Sequence, residues 1–328
     1  MLEVKSNPNS NFFSLVGNVH MDMGLEYLDY RRCWEEYPKN FTVSSFPIHL
    51  DIEASSRCNL KCVFCDKLPL LKKDQFGDID YKLFCKIIHE GQENGLKSIK
   101  LSYRGEPLLN REIIKMVDYA KNKGVLDIYF NTNGMLLNKS VSSDLINAGL
   151  NRISISIDGT DKNNFEKIRV GANFDTILRN MEDLIELKNQ RHSITPKIRI
   201  QTVNFLDLDL DMYSKIWGKY ADEIAVIDYK DESVREKGLI CNNWACPQLW
   251  QRMTIEWDGR ILQCNNNDTR TLIKYNAWDS SIKEIWNGTE VSDARTMHKK
   301  GLSHMVFDCD GCPWRTAQVK KVLSGIDN

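Results

Sequence analysis

Three cysteines carry the first chemical signal. They form the run Cys58-Asn-Leu-Lys-Cys62-Val-Phe-Cys65, with gaps of three and then two residues. Thiolates are soft ligands, and a loop so spaced can wrap three irons of a cubane cluster. Three thiolates leave the remaining iron without a protein ligand, and an open metal position is where a substrate or cofactor binds. A zinc knuckle or a reactive thiol pair is the competing reading. Zinc wants a fourth Cys or His nearby, and the loop holds none.

A second set comprises Cys246, Cys264, Cys309 and Cys312, with gaps of seventeen, forty-four and two residues. Four thiolates can fully ligate a 4Fe–4S cluster, leaving no vacant position. A structural zinc is the alternative, because tetrahedral sulfur suits it equally. Cys85 falls on an apolar helix face and reads as core. Cys33 sits among charges and reads as incidental. Cys241, five residues before Cys246, reads as a passive thiol or as a rival ligand. The six histidines show no metal spacing, and none is assigned a role.

These cysteines must be positioned by regular elements. Residues 1–45 read as an N-terminal extension with one amphipathic helix, Met21–Glu36, ended by Pro38. Strands then alternate with helices. The strands are His49–Ser55, Ser98–Tyr103, Asp127–Asn131, Arg152–Ile157, Lys197–Val203 and Glu223–Asp228. The helices are Tyr81–Asn94, Arg111–Asn122, Ser140–Ala148, Phe174–Lys188 and Asp209–Tyr220. Six strands in this rhythm predict an α/β fold with a parallel sheet covered by helices, a partial (β/α)6 TIM-like barrel. Chemistry then belongs at the C-terminal strand ends. The first cysteine loop follows the first strand directly. The rhythm stops near Tyr229. The expected organisation is an extension over 1–45, a barrel over 46–232 and a small cysteine-rich domain over 233–328. That last part contains a hairpin, Met253–Trp257 and Arg260–Gln263, turning at Asp258-Gly259.

The bulk numbers narrow the partners. The chain has 328 residues, 44 basic and 45 acidic side chains and a formal net charge of −1. That balance offers no general field for nucleic acid or an anionic membrane. No segment approaches the roughly 20 apolar residues of a membrane span, and residues 1–10 lack an apolar signal core. The expectation is a cytoplasmic protein, where clustered cysteines point to metal or catalysis rather than disulfides.

The C-x3-C-x2-C loop, with the aromatic Phe64 before its last cysteine, resembles the radical S-adenosylmethionine superfamily over about residues 46–230. The resemblance implies that S-adenosyl-L-methionine chelates the open iron and is cleaved to a 5′-deoxyadenosyl radical that takes hydrogen from a substrate. Arg104-Gly105-Glu106-Pro107 is similar to the family's Gly-Gly-Glu-Pro motif, with Arg104 in place of the first glycine. Cofactor contacts are thereby expected at Gly105, Glu106 and Pro107, and at the strand ends Asn131, Asn133, Ser156, Asp158, Gln201 and Val203. Taken singly, Asn133-Gly134 and Asp158-Gly159 read as turns.

The second set resembles the shortened SPASM extension called a twitch domain. Its spacing is most similar to that of the radical dehydrogenase of butirosin biosynthesis, which oxidises an aminocyclitol alcohol. This implies two 4Fe–4S clusters and a reductant protein such as a flavodoxin or ferredoxin. The expected reaction is oxidation of a secondary alcohol on a sugar or cyclitol. A radical epimerase with Cys241 as hydrogen donor is one alternative. Peptide modification is another, disfavoured because 45 residues are few for a leader-binding domain. A zinc-stabilised binding module is the non-enzymatic alternative.

Overall fold

The structure, a computed structural model, describes residues 2, 10–14, 21–65, 76–204, 208–229, 235–266 and 273–325. The expected boundary at 232/233 lies outside them. Eleven strands are described: β1 Ser10–Ser14, β2 His49–Ile52, β3 Lys61–Cys62, β4 Ser98–Lys100, β5 Asp127–Thr132, β6 Arg152–Ser156, β7 Arg169–Val170, β8 Lys197–Asn204, β9 Glu223–Asp228, β10 Arg252–Ile255 and β11 Ile261–Leu262. The α-helices are α1 Leu25–Asn40, α2 Tyr81–Glu93, α3 Ile113–Asn122, α4 Lys139–Asn147, α5 Lys162–Ile168, α6 Phe174–Gln190, α7 Leu210–Trp217, α8 Ile282–Trp286, α9 Thr289–Lys299 and α10 Pro313–Leu323.

Nine strands form one sheet in the order β1-β9-β8-β6-β5-β4-β2-β10-β11. The six strands expected from the alternation, β2, β4, β5, β6, β8 and β9, are all present and parallel. They form the partial TIM-like barrel. Three more strands, β1, β10 and β11, join the sheet where the alternation gave no sign of them. β1 pairs antiparallel along β9. β10, the first arm of the expected hairpin, pairs parallel with β2, and Arg252 lies opposite His49. The late cysteine-rich segment thereby extends the barrel sheet.

The sheet's two faces differ. Leu50, Ile52, Ile99, Ile128, Phe130, Ile153, Ile155, Ile198 and Ile200 pack outward with the helices in one large apolar core. The alternate residues form a polar interior. His49 Nδ1 lies 2.9 Å from Ser98 Oγ, which donates to Asp127 Oδ2 at 3.2 Å. Arg152 then grips Asp127 with two bonds of 2.8 and 2.7 Å. Strands of a parallel sheet usually read as continuous apolar runs. Here the sequence alternates because the inner face is ionic.

Helix α1 closes the N-terminal end of this interior. Tyr27, Tyr30 and Trp34 pack around Ile48, just before β2. The Trp34 ring meets the His49 ring edge-on at 5.5 Å, and Arg252 stacks over Trp34 at 4.6 Å. Pro38 does not end the helix as expected. It sits inside a last turn that runs to Asn40, and Phe41 follows at φ 54°. Cys85 is only half-buried, on α2.

Candidate active site and cluster cysteines

The first cysteine loop leaves the C-terminal end of β2 and is tied down from both flanks. On one flank, β3 pairs with β7, placing Cys62 opposite Arg169. Arg169 holds Asp158 through bonds of 2.8 and 2.6 Å, reaches to 4.0 Å from Cys62 Sγ, and stacks over Phe64 at 5.5 Å. Asp158 in turn accepts the Val203 N–H at 2.9 Å and the Thr202 hydroxyl at 3.1 Å. On the other flank, Asn133 Nδ2 donates to Asn59 Oδ1 at 2.8 Å and lies 4.0 Å from Cys58 Sγ.

Gly105 and Glu106 lock the neighbouring turn. A Cβ on Gly105 would sit 2.4 Å from the carbonyl oxygens of Ser55 and Arg57, so only glycine fits beside the cysteine loop. The Glu106 N–H donates to Arg57 O at 2.7 Å. Its buried carboxylate accepts from Leu108 N, Thr132 Oγ1 and Asn133 N at 3.1, 2.8 and 2.8 Å. Pro107 opens a short 3₁₀ turn behind it. Burial raises the Glu106 pKa against these donors. Further along the strand ends, Gln201 links Ser154 and Ser156 at 2.8 and 3.2 Å, and Asn131 donates its N–H to Ser102. The expected contact residues therefore all lie at one end of the barrel.

Arg104, the departure from the family motif, has a defined role. Its Nε and Nη2 pair with both oxygens of Glu53, at 2.8 and 2.6 Å, and Nη2 also meets Glu256 Oε1 at 2.8 Å. All three side chains are almost wholly buried. Glu53 follows β2 and Glu256 follows β10, so Arg104 joins the motif loop to both segments of the sheet.

The second set gathers below α10. Cys246 and Cys312 each cap a helix start, with Pro247 and Pro313 at the first helical positions. Proline is pre-set for that position, and a helix start favours a thiolate. Gly311, at φ +76°, makes the turn between Cys309 and Cys312. Cys264 follows β11. Cys241 is buried in the same small core as Trp244, Cys312, Trp314 and Val319, with Cys246 packed against it. The Trp244 and Trp314 rings are 5.6 Å apart.

One residue here has no signature in the sequence spacing. His298 on α9 is fully buried. Its Nδ1 accepts the Cys246 N–H at 3.1 Å, and its Nε2 lies 3.3 Å from Cys309 Sγ. No local pattern links a histidine to a cysteine fifty-two residues away. Arg169 was missed for the same reason: its partners are Cys62 and Asp158, reached through the chain's folding.

In their chemistry, free thiols of which several have raised pKa values, both donor sets suit iron–sulfur clusters. All seven cysteines are free thiols. Burial pushes Cys62 up to about 11 despite Arg169, and pushes Cys58 up as well. Burial, and then the neighbouring Cys264, drives Cys246 and Cys309 well above the ordinary thiol range. Crowded buried thiols resist ionisation unless a cation joins them, and metal binding supplies that cation. Arg315, 1% exposed, points an Nη1 without a hydrogen-bond partner among the described residues. An anionic cluster beside it would answer that buried charge.

A parallel barrel carrying a three-thiol loop at its C-terminal end, followed by a four-thiol cap, defines a class of cluster-dependent enzymes. The Radical SAM superfamily model matches residues 52–204, and the SPASM iron-sulfur cluster-binding domain matches residues 246–313. The chain therefore carries a Radical SAM domain followed by a SPASM iron-sulfur cluster-binding domain. The cofactors that go with these two domains are S-adenosyl-L-methionine and two 4Fe–4S clusters.

A probable GTP 3′,8-cyclase of Methanococcus maripaludis is 33% identical over 165 residues, covering 48% of this chain and 49% of that protein. The chain spans about half the length of the curated relatives it matches. BtrN in complex with AdoMet and 2-DOIA superposes with a TM-score of 0.51 at 16% identity, covering 79% of this chain and 89% of that one. Streptococcus suis SuiB bound to the precursor peptide SuiA gives 0.56 at 17% identity, covering 85% and 75%. These two likenesses establish the fold. No helix is long and apolar enough to cross a membrane among the described residues.

Proposed function

We propose that the enzyme oxidises a secondary alcohol of a sugar or aminocyclitol. Cys58, Cys62 and Cys65 hold the cofactor-binding cluster in this reading, and Cys246, Cys264, Cys309 and Cys312 hold the second. When bound, these groups supply a 5′-deoxyadenosyl radical that removes the carbinol hydrogen, and an acceptor for the electron left once the hydroxyl proton goes to solvent. The chain's own residues do the positioning. Gly105 and Glu106 shape the wall for the methionine end. Asn131, Asn133, Ser156, Asp158, Gln201 and Val203, at the strand ends, would line the rest of the cofactor site.

The observation that carries this reading is the closed set of four thiols. A cluster ligated by all four has no position for substrate, and so suits electron transfer. The polar lining supports a hydroxyl-rich substrate: Ser102, Ser154, Ser156 and Gln201 bond along the strand ends.

The test incubates anaerobically reconstituted, reduced enzyme with S-adenosylmethionine and candidate polyols. The expected result is equal amounts of 5′-deoxyadenosine and a ketone. Product carrying solvent deuterium on carbon, lost on Cys241→Ala substitution, would establish an epimerase instead. 5′-Deoxyadenosine without a two-electron-oxidised product would reject oxidation.

A further inference from the structure

Two buried side chains beside the second cysteine set have no part in the reading above. His298 is held between two of the cysteines. A backbone N–H can only donate, so the Cys246 amide fixes Nδ1 as the acceptor. The ring proton of the neutral imidazole then sits on Nε2, which faces Cys309 Sγ at 3.3 Å. A protonated Nε2 is a donor, not a ligand. The ring is locked sideways by Trp244 at 6.1 Å.

Arg315 approaches from α10. Its Nε donates to Ser303 Oγ at 2.9 Å and its Nη2 to Leu239 O at 2.5 Å. No carboxylate pairs with it among the described residues, and its third nitrogen has no hydrogen-bond partner there. Asp310 acts on it through space without forming an ion pair, and a buried guanidinium so weakly compensated is costly. Neighbouring Cys309 and Cys312 would provide a stronger counter-charge once ionised on a cluster.

We propose that His298 donates a hydrogen bond to the Cys309 thiolate and, together with the positive charge of Arg315, raises the reduction potential of the second cluster. Donors and positive charge at the sulfurs favour the more negative, reduced state. Both are positioning residues that make this cluster an electron acceptor. The inference rests on the reading that these four cysteines hold a 4Fe–4S cluster.

The experiment separates that premise from the inference. Replacing Cys58, Cys62 and Cys65 by alanine leaves the second set alone. This parent should retain about four irons after anaerobic reconstitution; retention of none would reject the cluster assignment itself. In the parent, His298→Leu should keep its iron and move the midpoint potential to a more negative value. His298→Gln, which keeps an N–H, should restore most of the shift, and Arg315→Gln should lower the potential separately. An unchanged potential in an iron-replete His298→Leu protein overturns the proposal. So does loss of iron from both His298 variants, which indicates a ligand or scaffold. Labelling the parent with ¹⁵N-histidine gives a readout without substitution. Pulsed electron paramagnetic resonance of the reduced cluster should show one weak nitrogen coupling through the hydrogen bond. A strong coupling from direct ligation, or none, overturns the proposal.

Discussion

One methyl group is enough to disturb the cofactor wall. An alanine at Gly105 would press its Cβ against two carbonyl oxygens at 2.4 Å, and backbone cannot swing aside as a side chain can. Gly105→Ala should weaken S-adenosylmethionine binding at least ~10-fold, about 1.4 kcal/mol, measured by equilibrium dialysis on reconstituted enzyme. A different signature belongs to His49. Burial lowers its pKa to about 4, so the folded state keeps it neutral while the unfolded chain protonates near 6.5. Stability contributed by the neutral ring is present above pH 6.5 and is lost as pH falls towards 4, up to about 3 kcal/mol. His49→Gln should flatten this part of the acid limb in urea titrations between pH 7.5 and 4.5. At this scale the sequence was informative where chemistry and spacing coincide: the Cys58, Cys62, Cys65 loop and the Gly105-Glu106-Pro107 run are local patterns. It was silent on Arg169 and His298, which each join one partner eleven residues away to another 107 or 52 residues away.

Elements are joined by charge as well as by apolar packing. Arg104 neutralises Glu53 and Glu256, which are 0% and 2% exposed. Restoring the family's usual residue with Arg104→Gly would leave Glu53 buried without its guanidinium and Glu256 with the longer Arg260 pair at 3.6 Å, at a cost of about 3–5 kcal/mol. Chemical denaturation should show that loss, and the double variant Arg104→Gly with Glu256→Gln should recover part of it. The motif that looked imperfect in the sequence is a coherent local solution once Glu256 arrives beside it. The alternation of apolar residues sufficed to find six strands and their helices, with ends shifted by a few residues. It did not reveal that Arg252–Ile255, while still paired in its hairpin, also lies along β2, because four residues carry no record of a second partner. Nor did it reveal α1 as a plug, since Tyr27, Tyr30 and Trp34 read equally well as the buried stripe of any amphipathic helix.

At the scale of the whole molecule, the two segments share a sheet. Cutting the chain after residue 232 would remove β10 and leave β2 with an unpaired edge. Exposed edges of this kind promote aggregation. The truncated protein should therefore be recovered mainly as insoluble aggregate, checked by size-exclusion chromatography. The full chain with Cys246, Cys264, Cys309 and Cys312 all replaced by alanine keeps β10, and should retain a soluble barrel with about four irons.

The β2–β10 pairing also sets an order of events during synthesis. β2 emerges from the ribosome early, and its parallel neighbour Arg252–Ile255 follows about 200 residues later, some 10–40 seconds at ordinary translation speed. Through that interval the strand leading into Cys58 is paired with β4 on one side only. Glu53 also waits for Trp257, whose N–H it accepts at 3.2 Å in the finished protein. The nascent chain thus presents the three-cysteine loop on an unclosed flank before the last strand seals it, a window in which iron and sulfide can be delivered.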